Sequence, residues 1–279
     1  MINIIQHSED GFGHQLHGLF SCLILHNIKN YNFDGYTFIN KKFKFDHLTL
    51  EEGEKCKMYL IEIVKLFIEK NNIQQKKYNS FIYSHEIYNI PDNYDENKLY
   101  GLDNAYYFDR IKLNDVESKE HYNNIDKINP LFKNKYLPQN QLKKNNIVFH
   151  FRLGDAMTSG RGNSINNYNT LIIKLIDILI HKYKNYTYYM HTDGDIKFIE
   201  NKLNENNLEY FISKKNTPIL NVLSDFIYSN IFICGNSGLS KVCSFLGQKE
   251  LIIINDDNKH SMPLINIHSI SNYIEENKI

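Results

Sequence analysis

From Asn145 onward, short strand-like and helix-like segments alternate with unusual regularity. Runs rich in β-branched and aromatic residues predict strands at Ile147–Arg152, Tyr186–Met190, Leu208–Ile212, Ile231–Cys234 and Glu250–Ile254. Helical patterns between them predict helices at Tyr168–Tyr183, Asp195–Asn204, Ile219–Tyr228 and Ser237–Phe245. Strands that alternate with helices in this way favour a parallel sheet covered on both faces. Residues 145–279 are therefore expected to form a complete Rossmann-like domain.

The first half of the chain is less regular and predicts a second α/β domain over residues 1–144. Its predicted strands are Ile2–Ile5, Tyr36–Ile39 and Ser80–Ser84, and its predicted helices are Gln15–Ile28 and Glu52–Lys70. In the second helix, the spacing places Met58, Ile61, Val64 or Lys65, and Ile68 on one stripe. The polar segment Pro91–Gln141 predicts surface loops that lead to the domain boundary. Two α/β domains that face each other across a cleft are the simplest architecture.

The charge balance and the cysteine spacing exclude several classes of function. Lys plus Arg and Asp plus Glu both number 32, so there is no excess of cations to neutralise phosphates, and nucleic acid is not expected as a partner. The four cysteines have no C-x-x-C spacing and are expected to be buried thiols in a reducing compartment; they are Cys22, Cys56, Cys234 and Cys243. With neither a signal-peptide pattern nor a membrane span in the sequence, we expect a cytoplasmic protein.

The strongest local motif is His150-Phe151-Arg152-Leu153-Gly154-Asp155. Because side chains alternate along a strand, His150 and Arg152 point to the same face at its carboxyl end, where open α/β sheets bind ligands. The only arginines are Arg110, Arg152 and Arg161, so a retained arginine suggests a need for its planar fork. Arg161 follows in a glycine-rich loop. The alternative is a surface strand with an ion pair between Arg152 and Asp155.

The second motif is Cys234-Gly235-Asn236-Ser237-Gly238-Leu239-Ser240, between a predicted strand and a predicted helix. Ser237 is placed to cap the helix, whose first free amides and positive dipole would then face an anion. The segment lacks the lysine of a P-loop, so an ATPase is disfavoured. A strand-to-helix turn of small residues without any function is the alternative.

Two weaker motifs complete the candidate site. Met190-His191-Thr192-Asp193-Gly194-Asp195 lies at the end of a predicted strand, where Asp193 can accept hydrogen bonds from a ribose or a base, or simply begin a helix. Asp10-Gly11-Phe12-Gly13-His14 follows the first predicted strand. Its glycines, Gly11 and Gly13, let backbone amides approach a ligand closely, and His14 is a candidate proton acceptor near neutral pH.

Together these segments resemble the superfamily of α1,2-, α1,6- and protein O-fucosyltransferases. The element from His150 to Asp155 is similar to that superfamily's H-x-R-x-G-D, and Gly11-Phe12-Gly13-His14-Gln15 resembles its G-x-G-N-Q with histidine in place of asparagine. Thr192-Asp193 resembles its T-D pair, and the segment from Asn236 to Ser240 resembles its N-S-S-F-S. The helix that leads to this segment, with Asp225 and Ser229, is also similar.

The resemblance implies a GT-B-like fold of two Rossmann-like domains, with acceptor binding in residues 1–144 and nucleotide-sugar binding in residues 145–279. It implies an inverting, metal-independent transfer of fucose from GDP-fucose to a glycan hydroxyl, with no further cofactor. In that reaction Arg152 would bind the diphosphate. The other implied donor contacts are His150, Arg161, Asp193, Asn236, Ser237, Gly238 and Ser240.

The general base and the sugar are left open. His14 is the first candidate base, Asp10 the second and Asp155 the third. Because His14 and Gly238-Leu239 depart from the family pattern, another donor such as UDP-xylose is an alternative, as is a lapsed transferase that only binds nucleotide or glycan. Asp193 and Asp195 have the D-x-D form of a metal site, but we expect no metal.

Overall fold

The computed structural model describes residues 3–6, 11–29, 31–36, 48–74, 80–83, 95–102, 115–151, 165–192, 194–213, 216–235, 237–254 and 267–277. The chain forms two compact units, Met1–Pro138 and Gln139–Ile279. Each unit contains a parallel sheet with helices, which confirms the predicted α/β class. The boundary after residue 144 and the GT-B-like arrangement stay predictions. No helix in the described part of the chain is both long enough and apolar enough to span a bilayer.

The first unit has a four-stranded sheet in the order β2-β1-β4-β3, and all its strand pairs are parallel. Its described elements are β1 (Asn3–Gln6), α1 (Phe12–Lys29), β2 (Asn32–Tyr36), α2 (Leu50–Asn71), β3 (Ser80–Tyr83), β4 (Lys98–Leu102) and α3 (Asp115–Phe132).

Helix α2 begins and ends at clear local signals. The Thr49 side chain accepts a hydrogen bond from the Glu52 backbone amide, and the Glu52 carboxylate accepts one from the Thr49 amide, which makes a capping box. Asn72 ends the helix in the left-handed conformation, with φ of 51°. The sequence therefore contains enough information to place both ends of this helix.

The stripe through Met58 and Ile61 is not the face of α2 that packs inward. Met58 is 40% exposed and Ile61 is 37% exposed, whereas Val64 is buried. The face that packs inward instead carries Cys56, Tyr59, Leu60, Ile63, Val64 and Phe67. Its anchor is Tyr59, whose hydroxyl donates a 2.8 Å hydrogen bond to the Phe132 carbonyl at the end of α3.

Two further predictions for this unit need correction. The second strand begins at Asn32 and is described to Tyr36, so it starts before the predicted Tyr36–Ile39, of which residues 37–39 lie outside the described part of the chain. The segment predicted as loops from Pro91 to Gln141 contains β4 and α3. Although α3 is polar overall, it buries Ile125, Ile128, Leu131 and Phe132, and Pro130 is tolerated in its last turn.

The second unit follows the predicted alternation closely. Its described elements are β5 (Asn146–Phe151), α4 (Ile165–Lys182), β6 (Thr187–Thr192), α5 (Lys197–Glu205), β7 (Tyr210–Ile212), α6 (Ile219–Tyr228), β8 (Ile231–Cys234), α7 (Gly238–Phe245), β9 (Leu251–Ile254), β10 (Ile267–Ser269) and α8 (Ile270–Glu276). The last strand and helix were not predicted.

The six strands of this unit are all parallel and lie in the order β10-β9-β8-β5-β6-β7. Numbered within the unit and taken from the other edge, this is the order 3-2-1-4-5-6 of the doubly wound Rossmann sheet. One face packs its apolar side chains, including Phe149, Phe151 and Met190, against α4, α5 and α8. The other face is covered by α6 and α7, which also pack on each other.

The turn after α7 approaches α6 so closely that only glycine fits there. Gly247 has φ of +83°, and a Cβ built on it would lie 2.0 Å from the Ile227 carbonyl oxygen at the end of α6. We expect Gly247→Ala to lower the free energy of unfolding by about 3 kcal/mol, through a disfavoured backbone conformation and a clash with main chain. In a chain of this size, this corresponds to a fall of roughly 6–12 °C in the unfolding midpoint.

Gly11→Ala is the matched control in a thermal unfolding experiment. A Cβ at Gly11 meets nothing within 4 Å, so the same substitution should leave the midpoint within about 2 °C of wild type. Equal losses in the two variants would show that the close approach of the turn to α6 is not what requires glycine at position 247.

Candidate functional site

The site lies at the carboxyl edge of the second unit's sheet, between β5 and β8. From β5 the chain proceeds to β6 on one side, whereas from β8 it proceeds to β9 on the other, so the strand order reverses between these two neighbours. In open α/β sheets this switch point leaves a crevice at the carboxyl ends of the strands, where ligands bind. His150 lies near the end of β5, and the Gly235–Ser240 segment follows β8.

A hydrogen bond connects the two motifs that the sequence identified separately. His150 Nδ1 and Ser240 Oγ share it, which holds the end of β5 against the first turn of α7. Ser237 is the N-cap of α7, as predicted, and its hydroxyl accepts a 3.1 Å hydrogen bond from the Ser240 amide. Gly238 is the first residue of the helix and is buried. The structure therefore brings together His150, Ser237, Gly238 and Ser240.

A second histidine, which belongs to the third motif but was given no role from the sequence, lies beside His150. His191 on β6 is the register partner of His150 on β5. Its Nε2 lies 3.1 Å from Asp225 Oδ2 on α6, and its side chain is 7% exposed. The Phe226 ring contacts both imidazoles, at centroid distances of 5.0 Å to His150 and 5.2 Å to His191. The edge thus carries two imidazoles, a carboxylate and a hydroxyl around one aromatic ring.

The cysteines are free and buried, as expected. Burial raises the pKa of the Cys56, Cys234 and Cys243 thiols to about 12. Because the thiolate is the nucleophile, these thiols are inert near neutral pH even though Cys234 lies at the end of β8. The chemistry of the edge rests on its imidazole, hydroxyl and carboxylate groups.

In the first unit, the glycine motif follows an inner strand of its own sheet. The strand β1 lies between β2 and β4, and the motif leads from its carboxyl end into α1. The Gly11 carbonyl accepts hydrogen bonds from the amides of His14 at 3.0 Å and Gln15 at 3.1 Å. Gly13 and His14 are half-buried in the first turn, so the His14 side chain is within reach of a ligand at this edge.

Six predicted site residues lie outside the described part of the chain: Asp10, Arg152, Asp155, Arg161, Asp193 and Asn236. Their roles stay predictions. Asp195, the other acid of the D-x-D pattern, is exposed, and its carboxylate accepts a 2.9 Å hydrogen bond from the Lys197 amide at the start of α5. Among the described residues, no group of three or more His, Cys, Asp or Glu is arranged to hold a metal ion.

The chain matches no protein-family model and no curated protein. Among solved structures it is similar to POFUT1 in complex with GDP, with a TM-score of 0.48 and 11% identity over 91% of this chain and 98% of that one. It is also similar to NodZ alpha-1,6-fucosyltransferase soaked with GDP-fucose, with a TM-score of 0.42 and 12% identity over 96% and 99% of the two chains. Fucosyltransferase NodZ from Bradyrhizobium gives a TM-score of 0.42 and 11% identity over 94% and 97%. With TM-scores below 0.5, these similarities establish neither the activity nor the substrate of this chain.

Proposed function

We propose that the protein is a glycosyltransferase that binds a nucleotide-sugar donor at the switch point of its second unit. The observation that carries this proposal is the hydrogen bond between His150 and Ser240, which joins the end of β5 to the first turn of α7 at the crevice where doubly wound sheets bind nucleotides. The first turn of α7 offers backbone amides and the positive end of a helix dipole to a diphosphate. Arg152, which directly follows β5, would add a bidentate cation.

We further propose GDP-fucose as the donor, a glycan hydroxyl as the acceptor, and an inverting displacement that needs no metal. The resemblance of the four segments together to the fucosyltransferase superfamily supports this choice of donor, although H-x-R-x-G-D by itself does not specify the sugar. In the displacement, the acceptor oxygen forms a bond to the anomeric carbon while the bond to the diphosphate breaks. The negative charge that develops on the leaving GDP would be stabilised by Arg152 and the α7 amides in place of a metal. A base, first His14, takes the acceptor's proton.

The direct test of the donor is thermal unfolding in the presence of GDP, UDP, ADP or CMP. A nucleotide at 100 times its dissociation constant stabilises the folded state by about 2.7 kcal/mol. We expect GDP to raise the midpoint most. A larger shift with UDP would replace GDP-fucose by a UDP-sugar such as UDP-xylose, and binding of GDP without transfer to any acceptor would indicate a lapsed transferase. No shift with any nucleotide would contradict the proposal.

The role of α7 is tested by two serine caps of the same unit. Ser237 caps α7, and Ser269 caps α8 by accepting a 3.3 Å hydrogen bond from the Asn272 amide. Either serine-to-alanine change should cost about 1 kcal/mol of folding stability. Only Ser237→Ala should also weaken GDP binding, by about fivefold, because the amides it orders face the diphosphate. Calorimetric dissociation constants that change equally in both variants would remove α7 from the nucleotide site.

A further inference from the structure

The sheet face beneath α6 and α7 carries buried apolar side chains on two of its strands, β8 and β9. Phe232, Cys234, Ile252 and Ile254 on this face are buried. At the edge the same face carries His150 and His191, and His191 is 6% exposed. Two imidazoles side by side in such a layer are costly unless their polar atoms have partners.

The two nitrogens of His191 differ in their surroundings. Nε2 donates to the Asp225 carboxylate at 3.1 Å, since an ionised carboxylate can only accept. In the neutral ring, Nδ1 then carries the lone pair. This Nδ1 is buried and has no hydrogen-bond partner among the described residues. A buried polar atom left in this condition lowers stability, so it calls for a partner that the described residues do not supply.

We propose that His191 Nδ1 accepts a hydrogen bond from an N–H or O–H group of the nucleoside part of the bound nucleotide. This inference rests on the proposed function. His191 is the last residue but one of β6, next to the strand whose His150 contacts the first turn of α7. Ionised phosphates only accept hydrogen bonds, and we place them at the α7 amides. The group that donates to His191 Nδ1 must therefore belong to the ribose or the base. Asp225 is the positioning residue that fixes which nitrogen carries the proton. We expect the contact between His191 Nδ1 and the nucleoside only in the complex. Side chains at a binding site commonly change rotamer when a ligand binds, and such a change would open the way to the buried Nδ1.

Two substitutions of His191 separate this contact from the link to Asp225. In asparagine, the amide oxygen and nitrogen are separated from Cβ by the same number of bonds as Nδ1 of histidine. In glutamine, they are separated from Cβ by the same number of bonds as Nε2 of histidine. His191→Asn therefore keeps an acceptor at the ligand side and loses the link to Asp225, whereas His191→Gln does the reverse. Calorimetry on the full chain should show GDP binding about tenfold weaker for His191→Gln and within about threefold of wild type for His191→Asn. Inorganic pyrophosphate should bind all three proteins equally.

Binding of inorganic pyrophosphate also shows whether the first turn of α7 is intact in each variant. If His191→Asn weakens GDP binding and His191→Gln does not, the link to Asp225 is what matters and the proposed contact is overturned. Equal loss of GDP and pyrophosphate binding in both variants overturns it too, since His191 would then only support the fold. If wild type binds pyrophosphate but no nucleotide, the proposed function fails at the same time.

A second nucleotide, 2′-deoxy-GDP, identifies the donor group. If it binds wild type and His191→Gln equally, the donor is the ribose 2′-hydroxyl. If the tenfold difference persists, the donor lies elsewhere in the nucleoside.

Discussion

Arg152→Lys is expected to lower kcat/KM for glycosyl transfer by about 100-fold or more while the unfolding midpoint stays near that of wild type. Arg152 directly follows β5, whose end is held to the first turn of α7 through His150 and Ser240. A guanidinium binds two oxygens of a diphosphate in a fixed plane, whereas lysine offers a single compact charge. The substitution keeps the net charge but removes the planar guanidinium. A loss of kcat/KM would therefore show that the two-point contact with the diphosphate is needed, and not merely a positive charge.

Arg110→Lys is the matched control for this experiment, because Arg110 lies outside the four candidate motifs. We expect steady-state kinetics within about twofold of wild type for this variant. GDP binding should weaken in Arg152→Lys and stay unchanged in Arg110→Lys. Near wild-type kcat/KM in Arg152→Lys would show that the diphosphate is bound elsewhere.

The second half of the chain was predictable because its central strands, such as β8 and β9, are buried on both faces. A parallel strand of this kind appears in the sequence as a continuous apolar run, and β8 is buried at every position. Its predicted bounds, like those of α6, agree with the structure. β10 was missed because it has only three residues and its first two are half-buried, which leaves little apolar signal.

The first half shows where periodicity misleads. Helix α2 carries two apolar stripes with helical spacing, one through Met58 and Ile61 and one through Tyr59 and Ile63. Spacing alone does not decide between them, because the choice depends on the α3 backbone that accepts the Tyr59 hydroxyl bond. Strand β2 was misplaced for a related reason, since its Asp34 is polar and yet buried.

Some residues of the candidate site could be recognised from the sequence, and others could not. His150 and Ser237 lie in motifs that are visible along the sequence, and the structure joins their elements. His191 and Asp225 are 34 residues apart and meet only because β6 pairs in register with β5 beneath α6. The predicted strand ended at Met190, so its last two residues were not considered as neighbours of His150. A site made by strand register requires the sheet order, which periodicity does not supply.

His14→Ala is expected to reduce transfer by about 1,000-fold if His14 is the general base. His14 is half-buried in the first turn of α1, the helix that follows the inner strand β1 of the first sheet. The nucleotide contacts proposed for β5 and α7 lie in the second unit, so the thermal shift with GDP should survive the change. An imidazole accepts a proton only in its neutral form, so wild-type kcat/KM should fall toward acid pH.

His14→Asn decides between proton transfer and simple hydrogen bonding. The asparagine amide hydrogen-bonds from nearly the same place as Nδ1 and is not a base. It is also the residue that the resembling family has in its G-x-G-N-Q element. If His14 accepts the acceptor's proton, His14→Asn should be as inactive as His14→Ala, although both bind GDP. Activity close to wild type in His14→Asn would assign His14 a hydrogen-bonding role only. The base would then be sought at Asp10 first and Asp155 second, by the same comparison of a carboxylate with its amide.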